Sequence, residues 1–225
     1  MFDVEARIIA EVLESLPGSI AGKTILDIGS STARYRDSKP QCAYLHSRII
    51  EGGGLYLGLD IKQSEGVDIV GDIKAAETLE QIRAIAPDAI LLNNLLEHLE
   101  EPWQVLQNVW GVAPAGSTLI VTVPSEYPYH PDPIDTMLRP SPEAIASKLP
   151  GAEVIKMQTL VDQTLLVKWL SRGVLHMLYR LFRSVAKTVV KTPFDIRYLV
   201  YSDIRWMFKN PTVSLVAARK PLLTD

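Results

Sequence analysis

Between residues 24 and 123, five short apolar runs, 24–28, 55–60, 67–72, 89–94 and 117–123, alternate with segments of helical spacing. A parallel strand is reached only through a crossover, so strands that alternate with helices across short turns form a parallel sheet. The run Ala-Ile-Leu-Leu-Asn-Asn at 89–94 is apolar almost to its end, as a central strand covered on both faces must be. The pattern predicts an α/β, doubly wound, mostly parallel sheet with helices on both faces.

The first run breaks at Gly29 into Ser30, Ser31, Thr32 and Ala33. A strand that opens into a tight turn of small residues is where doubly wound folds hold a cofactor. Gly29 lets the backbone approach a ligand, and the hydroxyl residues can cap the next helix and face the ligand. The second run ends on Asp60 and the third on Asp72. A carboxylate at the second strand end can accept both hydroxyls of a ribose, and one after the third can accept from an adenine amino group. Taken singly, such acids are equally well read as solvated turn residues. The ordered set Gly29, Asp60 and Asp72 favours a nucleoside site.

Around this frame, residues 3–16 carry apolar positions at helical spacing and end at Pro17-Gly18. That helix is expected over the sheet edge or the cleft. An irregular stretch is expected at 34–40, and helices at 41–51, 75–85 and from Pro102 for about three turns. After Pro124 a proline-punctuated polar loop leads to a short helix at 142–149 and a sixth strand at 153–161. Residues 194–209 are ambiguous between helix and strand, and 212–218 form the last strand.

With 225 residues, one α/β domain with an appendage is expected. A net charge of −3 gives no global basic signal for nucleic acid. Cys42 stands alone, which excludes an internal disulfide and fits a reducing, cytoplasmic setting. It falls on a predicted helix and reads as a small core residue. Met1 to Glu5 is acidic and unlike a signal peptide, and no run is long and apolar enough to span a bilayer. No Cys/His set has metal-ligand spacing, so no metal is expected.

The order Leu-Asp-Ile-Gly, Gly-Leu-Asp, Gly-Asp-Ile, Asn-Leu-Leu-Glu-His-Leu and Ala-Pro-Ala-Gly-Ser-Thr-Leu-Ile-Val-Thr-Val-Pro resembles the class I S-adenosylmethionine-dependent methyltransferases. The likeness covers about residues 20–160 and the last strand, and Leu96-Glu97-His98 is similar to a signature of that family. It implies a seven-stranded sheet whose last strand is antiparallel and lies beside the fifth. It also implies S-adenosylmethionine as cofactor, contacted by Asp27, Gly29, Ser31, Asp60, Asp72, Asn93 and Glu97. The family's three alternating glycines are Gly29, Ser31 and Ala33 here, and each substitution adds a Cβ at the turn. A fold that kept its shape and lost turnover, serving as a binding or scaffold protein, is therefore the alternative.

Methyl transfer is an in-line displacement, and a hydroxyl acceptor needs a base. His130, Asp132 and Asp135, on the loop after the fifth strand, are the candidates for catalysis. His130 can equally order its loop against a neighbouring carboxylate. Tyr129 and Arg139 are candidates for substrate contact, and Arg139 can instead pair with Asp132 or Asp135. Glu97 either touches the cofactor or caps a helix. The loop 127–139 resembles a subgroup linked to saccharide and cell-envelope modification, which implies O-methylation of a small-molecule, saccharide-like or lipid-linked acceptor.

Residues 163–191 hold no acid, while Lys168, Arg172, His176, Arg180, Arg183 and Lys187 recur every three or four positions beside an apolar side. That composition suits a helix on an anionic membrane surface. It suits equally a helix packed on its own sheet or on a second subunit. The stretch 163–209 reads as a basic helical insertion before the last strand of a single domain at 1–225.

Overall fold

A computed structural model describes residues 1–130, 132–191 and 203–222. The elements run α1 (Asp3–Glu14), β1 (Thr24–Ile28), α2 (Ala33–Ser38), α3 (Pro40–Glu51), β2 (Leu55–Asp60), β3 (Ile69–Val70), α4 (Ala76–Ile85) and β4 (Ala89–Asn93). After a 3-10 turn at Leu96–His98 come α5 (Pro102–Val112), β5 (Thr118–Glu126), α6 (Pro142–Ala146), β6 (Glu153–Val161), α7 (Leu165–Leu170), α8 (Val174–Lys191), α9 (Asp203–Phe208) and β7 (Thr212–Arg219).

The strands make one seven-stranded sheet in the order β3-β2-β1-β4-β5-β7-β6. The pairs from β3 to β5 are parallel, and β7 runs antiparallel between β5 and β6, as the resemblance implied. Strand β4 shows how the centre of the sheet is buried on both faces. Ile90 and Leu92 join Leu26, Leu106 and Val109 on one side, while Ala89 and Leu91 join Ile9, Ile25 and Ile49 on the other. Both alternating sets are fully buried, so a polar residue is excluded from either phase of the strand.

Three local expectations change. The stretch expected to be irregular at 34–40 is instead helix α2 up to Ser38, because the Thr32 side chain accepts the Tyr35 amide N–H and caps it, with extended Lys39 leading into α3 at Pro40. The third strand shrinks to Ile69–Val70, since the chain before it turns at Gly66 and the Asp68 carboxylate accepts the Gly58 amide. Strand β5 runs on to Glu126, with a register shift where Pro124 offers no N–H. In the ambiguous stretch at 194–209, residues 203–208 are helical, while 194–202 lie outside the described residues.

The sheet order reverses between β1 and β4, whose partners β2 and β5 lie on opposite sides. Loops leaving the carboxyl ends of those two strands diverge and open a crevice there.

Candidate functional site

A cavity of about 660 Å³ fills that crevice, well within the range of small-molecule sites. Its wall includes Asp27, Gly29, Ser31, Asp60, Asp72, Asn93, His130 and Asp132, which join four strand ends to the loop after β5. Neither Ser31 nor Ala33 plugs it. Ser31 lies on the wall, and its backbone is held at φ 58°, the left-handed region a glycine would take without strain. Ala33 is not on the wall and faces Gly66 instead, where its amide donates to the Glu65 carbonyl at 2.8 Å.

Gly29 sits at φ 80°, and a Cβ there would meet Leu95 at 3.0 Å. A glycine is therefore required at this point of the turn. Asp60 braces the same turn. Its carboxylate accepts the Ser31 amide at 2.9 Å and the Lys62 amide at 3.0 Å. A carboxylate has about four lone-pair sites, so two remain for ligand hydroxyls. Asp72 accepts the Lys74 amide at 2.9 Å and faces the cavity beside Ile73.

Asp27 lies at the base of the turn. The Tyr56 hydroxyl donates to it at 2.7 Å, and the Arg36 guanidinium stacks over the Tyr56 ring at 5.2 Å. Desolvation in the cavity wall pushes the Asp27 carboxyl up to about 6, against the opposing pull of Tyr56 and Arg36. A carboxylate held so unfavourably suits a cationic ligand group. Asn93 projects from the end of β4, and its Nδ2 is buried without a hydrogen-bond partner.

Sequence reasoning missed the far side of the cavity. Glu5, on α1, is fully buried at its wall and is held by three donors. Phe2 N donates at 2.8 Å, Asn94 Nδ2 at 2.7 Å and Thr122 Oγ1 at 2.6 Å. Arg36, His46 and Tyr56 line the opposite flank. An acid in the first turn of a helix looks like an ordinary dipole partner, so nothing in the chain marked Glu5. Cys42 lines the cavity half-buried and is not the core residue its helix suggested.

The remaining candidates lie elsewhere. Asp135 does not reach the cavity wall. Its carboxylate is buried in a two-pronged pair with Arg139, at 2.7 and 3.1 Å, and accepts the His130 and Met137 amides at 3.0 and 2.8 Å. Desolvation opposes its ionisation, but these partners outweigh it and hold the carboxyl near 2. Of the two roles open to Arg139, the structure shows the salt bridge. Tyr129 is exposed and off the cavity wall.

Glu97 is fully buried in the 3-10 turn and not on the wall either. Its carboxylate stands 3.7 Å from His98 Nε2 and 3.6 Å from His130 Nε2. Burial pulls the His130 imidazole down, but Glu97, the Pro128 carbonyl and Asp135 together raise it above its ordinary value.

No protein-family model matches the sequence, and no curated protein matches it. Solved structures match its fold along nearly the whole chain. Coclaurine N-methyltransferase, bound to N-methylheliamine and S-adenosylhomocysteine, superposes with a TM-score of 0.56 at 17% identity, over 96% of this chain and 70% of that one. A methyltransferase dependent on S-adenosylmethionine from Archaeoglobus fulgidus gives 0.55 at 14%, over 97% and 92%. The [4+2]-cyclase SpnF gives 0.55 at 18%, over 98% and 81%. The chain thus has the fold of the class I S-adenosylmethionine-dependent methyltransferases. A cyclase on the same fold means that the chemistry must be argued from the site.

Proposed function

We propose that the protein is an S-adenosylmethionine-dependent methyltransferase that methylates a hydroxyl of a small-molecule or saccharide-like acceptor. One observation carries this reading. A single cavity at the sheet's switch point has carboxylates at the ends of β1 and β2 and after β3, and it opens onto the loop bearing His130 and Asp132. Bound S-adenosylmethionine supplies an electrophilic methyl group on a sulfonium. Asp60 would grip the ribose, Asp72 the adenine edge, and Asp27 the ammonium of the methionine part. Gly29 and Ser31 would line the turn beside them, and Asn93 would offer its unpartnered amide. His130 and Asp132, at the acceptor end, are the groups that can hold the hydroxyl and receive its proton.

The reading takes 1–225 as one methyltransferase-like domain with 163–209 inserted before β7. A test measures S-adenosylhomocysteine binding by calorimetry, then methyl transfer to a panel of phenolic, sugar and lipid-linked hydroxyls. One cofactor per chain and a methylated product are expected. Cofactor binding without any turnover would favour the scaffold alternative, and no cofactor binding would overturn both.

A lipid-linked acceptor agrees with the surface of α8. Leu175, Leu178, Phe182, Val185 and Val189 form one helical stripe, and all are exposed, Leu175 by 84%. Among the described side chains of α8, Ser184 is the buried one. Arg180 and Arg183 lie on the same helix, with their guanidinium groups over the Trp169 and Tyr179 rings at 5.4 and 5.7 Å, and the helix carries no acid. An exposed apolar stripe on a helix whose charges are all cations fits an anionic membrane surface. No helix among the described residues is long and apolar enough to cross a membrane.

A further inference from the structure

We infer that Glu97, His98 and His130 form a binding site for a divalent first-row transition-metal ion beside the acceptor end of the cavity. One ligand atom from each lies within 4.8 Å of the other two. The Glu97 carboxylate is 3.7 and 3.6 Å from the two Nε2 atoms. Ligands about 2.1 Å from a shared ion stand about 3 to 3.5 Å apart, so small side-chain shifts close the set.

The protonation pattern points the same way. His98 Nδ1 lies 2.5 Å from the Ile134 carbonyl, and His130 Nδ1 lies 3.0 Å from the Pro128 carbonyl. A carbonyl only accepts, so each Nδ1 carries a proton and donates it. In the neutral ring each Nε2 is then left with a lone pair directed at the cluster. Backbone carbonyls that fix imidazole tautomers in this way are the usual outer support of metal-bound histidines. Both Glu97 carboxylate oxygens are buried without a hydrogen-bond partner. A fully buried carboxylate left so is costly, and a cation between it and the imidazoles removes the cost.

Two imidazoles and one carboxylate select a transition metal over calcium or magnesium and leave coordination positions open. His98 and His130 line the cavity, so those positions can take an acceptor oxygen. This deepens the methyltransferase reading and rests on it only for that last step. A hydroxyl bound to the ion loses its proton more readily, and Asp132 on the same wall can accept it. His130 is then a ligand rather than the base.

The expectation of no metal came from sequence spacing alone. Glu97 and His98 follow β4, while His130 follows β5, and only the parallel pairing of those strands brings them together.

Untagged full-length protein, stripped with chelator, is titrated with Co²⁺ and read by its visible d–d absorption, then with Mn²⁺, Zn²⁺ and Mg²⁺ in competition. One saturable Co²⁺ per chain is expected, displaced by Zn²⁺ and not by equimolar Mg²⁺. Glu97→Gln, His98→Ala and His130→Ala should each weaken binding at least tenfold. His176→Ala, on α8, should leave it unchanged. Circular dichroism confirms that each variant is folded, and Glu97→Gln preserves the side chain's shape should the alanine variants fail. Absence of saturable Co²⁺ binding, or equal binding by folded Glu97→Gln, overturns the site. S-adenosylhomocysteine binding is measured without metal in parallel. Its failure would sink the methyltransferase reading and leave the metal site standing.

Discussion

The Asp60 carboxylate accepts the Ser31 amide N–H at 2.9 Å, which ties the end of β2 to the turn that leaves β1. One acid thus holds the turn in place and faces the cavity. Asp60→Ala removes a charged acceptor from both. We expect cofactor affinity to fall by about 2 kcal/mol or more, roughly thirtyfold, in calorimetry with S-adenosylhomocysteine. Unchanged affinity would place the ribose elsewhere.

Ser31 occupies a left-handed backbone conformation that costs a residue with a Cβ about 1 kcal/mol. Ser31→Gly should therefore raise the melting temperature slightly, or leave it unchanged if chain entropy offsets the relief. It should also tighten cofactor binding by removing a side chain from the wall. Weaker binding in this variant would mean that the Ser31 hydroxyl itself contacts the cofactor.

Asp27 sets a pH dependence. Its carboxyl is raised from 3.8 to about 6 in the folded protein, chiefly by desolvation. The protonated form is therefore the one that folding favours. That stabilisation is complete below about pH 4 and is lost as pH rises through about 6. An ammonium placed beside Asp27 reverses the preference, so cofactor affinity should climb between pH 5 and about 7 with release of a proton. Calorimetry in buffers of different ionisation enthalpy measures that proton. Asp27→Asn should flatten the profile and weaken binding at neutral pH.

Glu5 joins Phe2 N, Asn94 and Thr122 through three hydrogen bonds, with its carboxylate fully buried. Glu5→Ala leaves those donors without their acceptor and should destabilise the protein by about 3 kcal/mol in denaturant unfolding. Glu5→Gln keeps one acceptor oxygen but turns an NH₂ toward one of the donors, and should cost about half as much. Loss of cofactor binding by folded Glu5→Gln would place Glu5 in direct contact with the ligand.

The stripe on α8 is tested by flotation with vesicles containing an anionic lipid. Leu175→Ser combined with Phe182→Ser should abolish flotation, since the two side chains are 84% and 73% exposed and contribute little to the core. Persistent flotation of the double variant would exclude this face as the contact.

The strand ends were legible because their signal is local. An apolar run that stops at Gly29, Asp60 or Asn93 marks its own boundary, and the alternation with helices marks the strands as parallel. The antiparallel last strand beside the fifth was implied only by the family resemblance. Cys42 was read as core because helical spacing shows which residues share a face but not what that face meets. His130 was visible as a loop histidine, but its pairing with Glu97 was not.

The alternation of apolar runs and helices by itself determined a doubly wound sheet, since each run is long enough only for a strand and each crossover forces a parallel neighbour. The acids at the strand ends followed from the same pattern. Tertiary structure alone decided that Glu5, from the first helix, closes the cavity and that Glu97 meets His130. It also chose, between the two acids the loop offered, Asp135 as the partner of Arg139. The Glu5 and Glu97–His130 contacts join side chains distant in sequence. Their spacing is set by how helices and loops pack on the sheet, which no local period of 2 or 3.6 residues encodes.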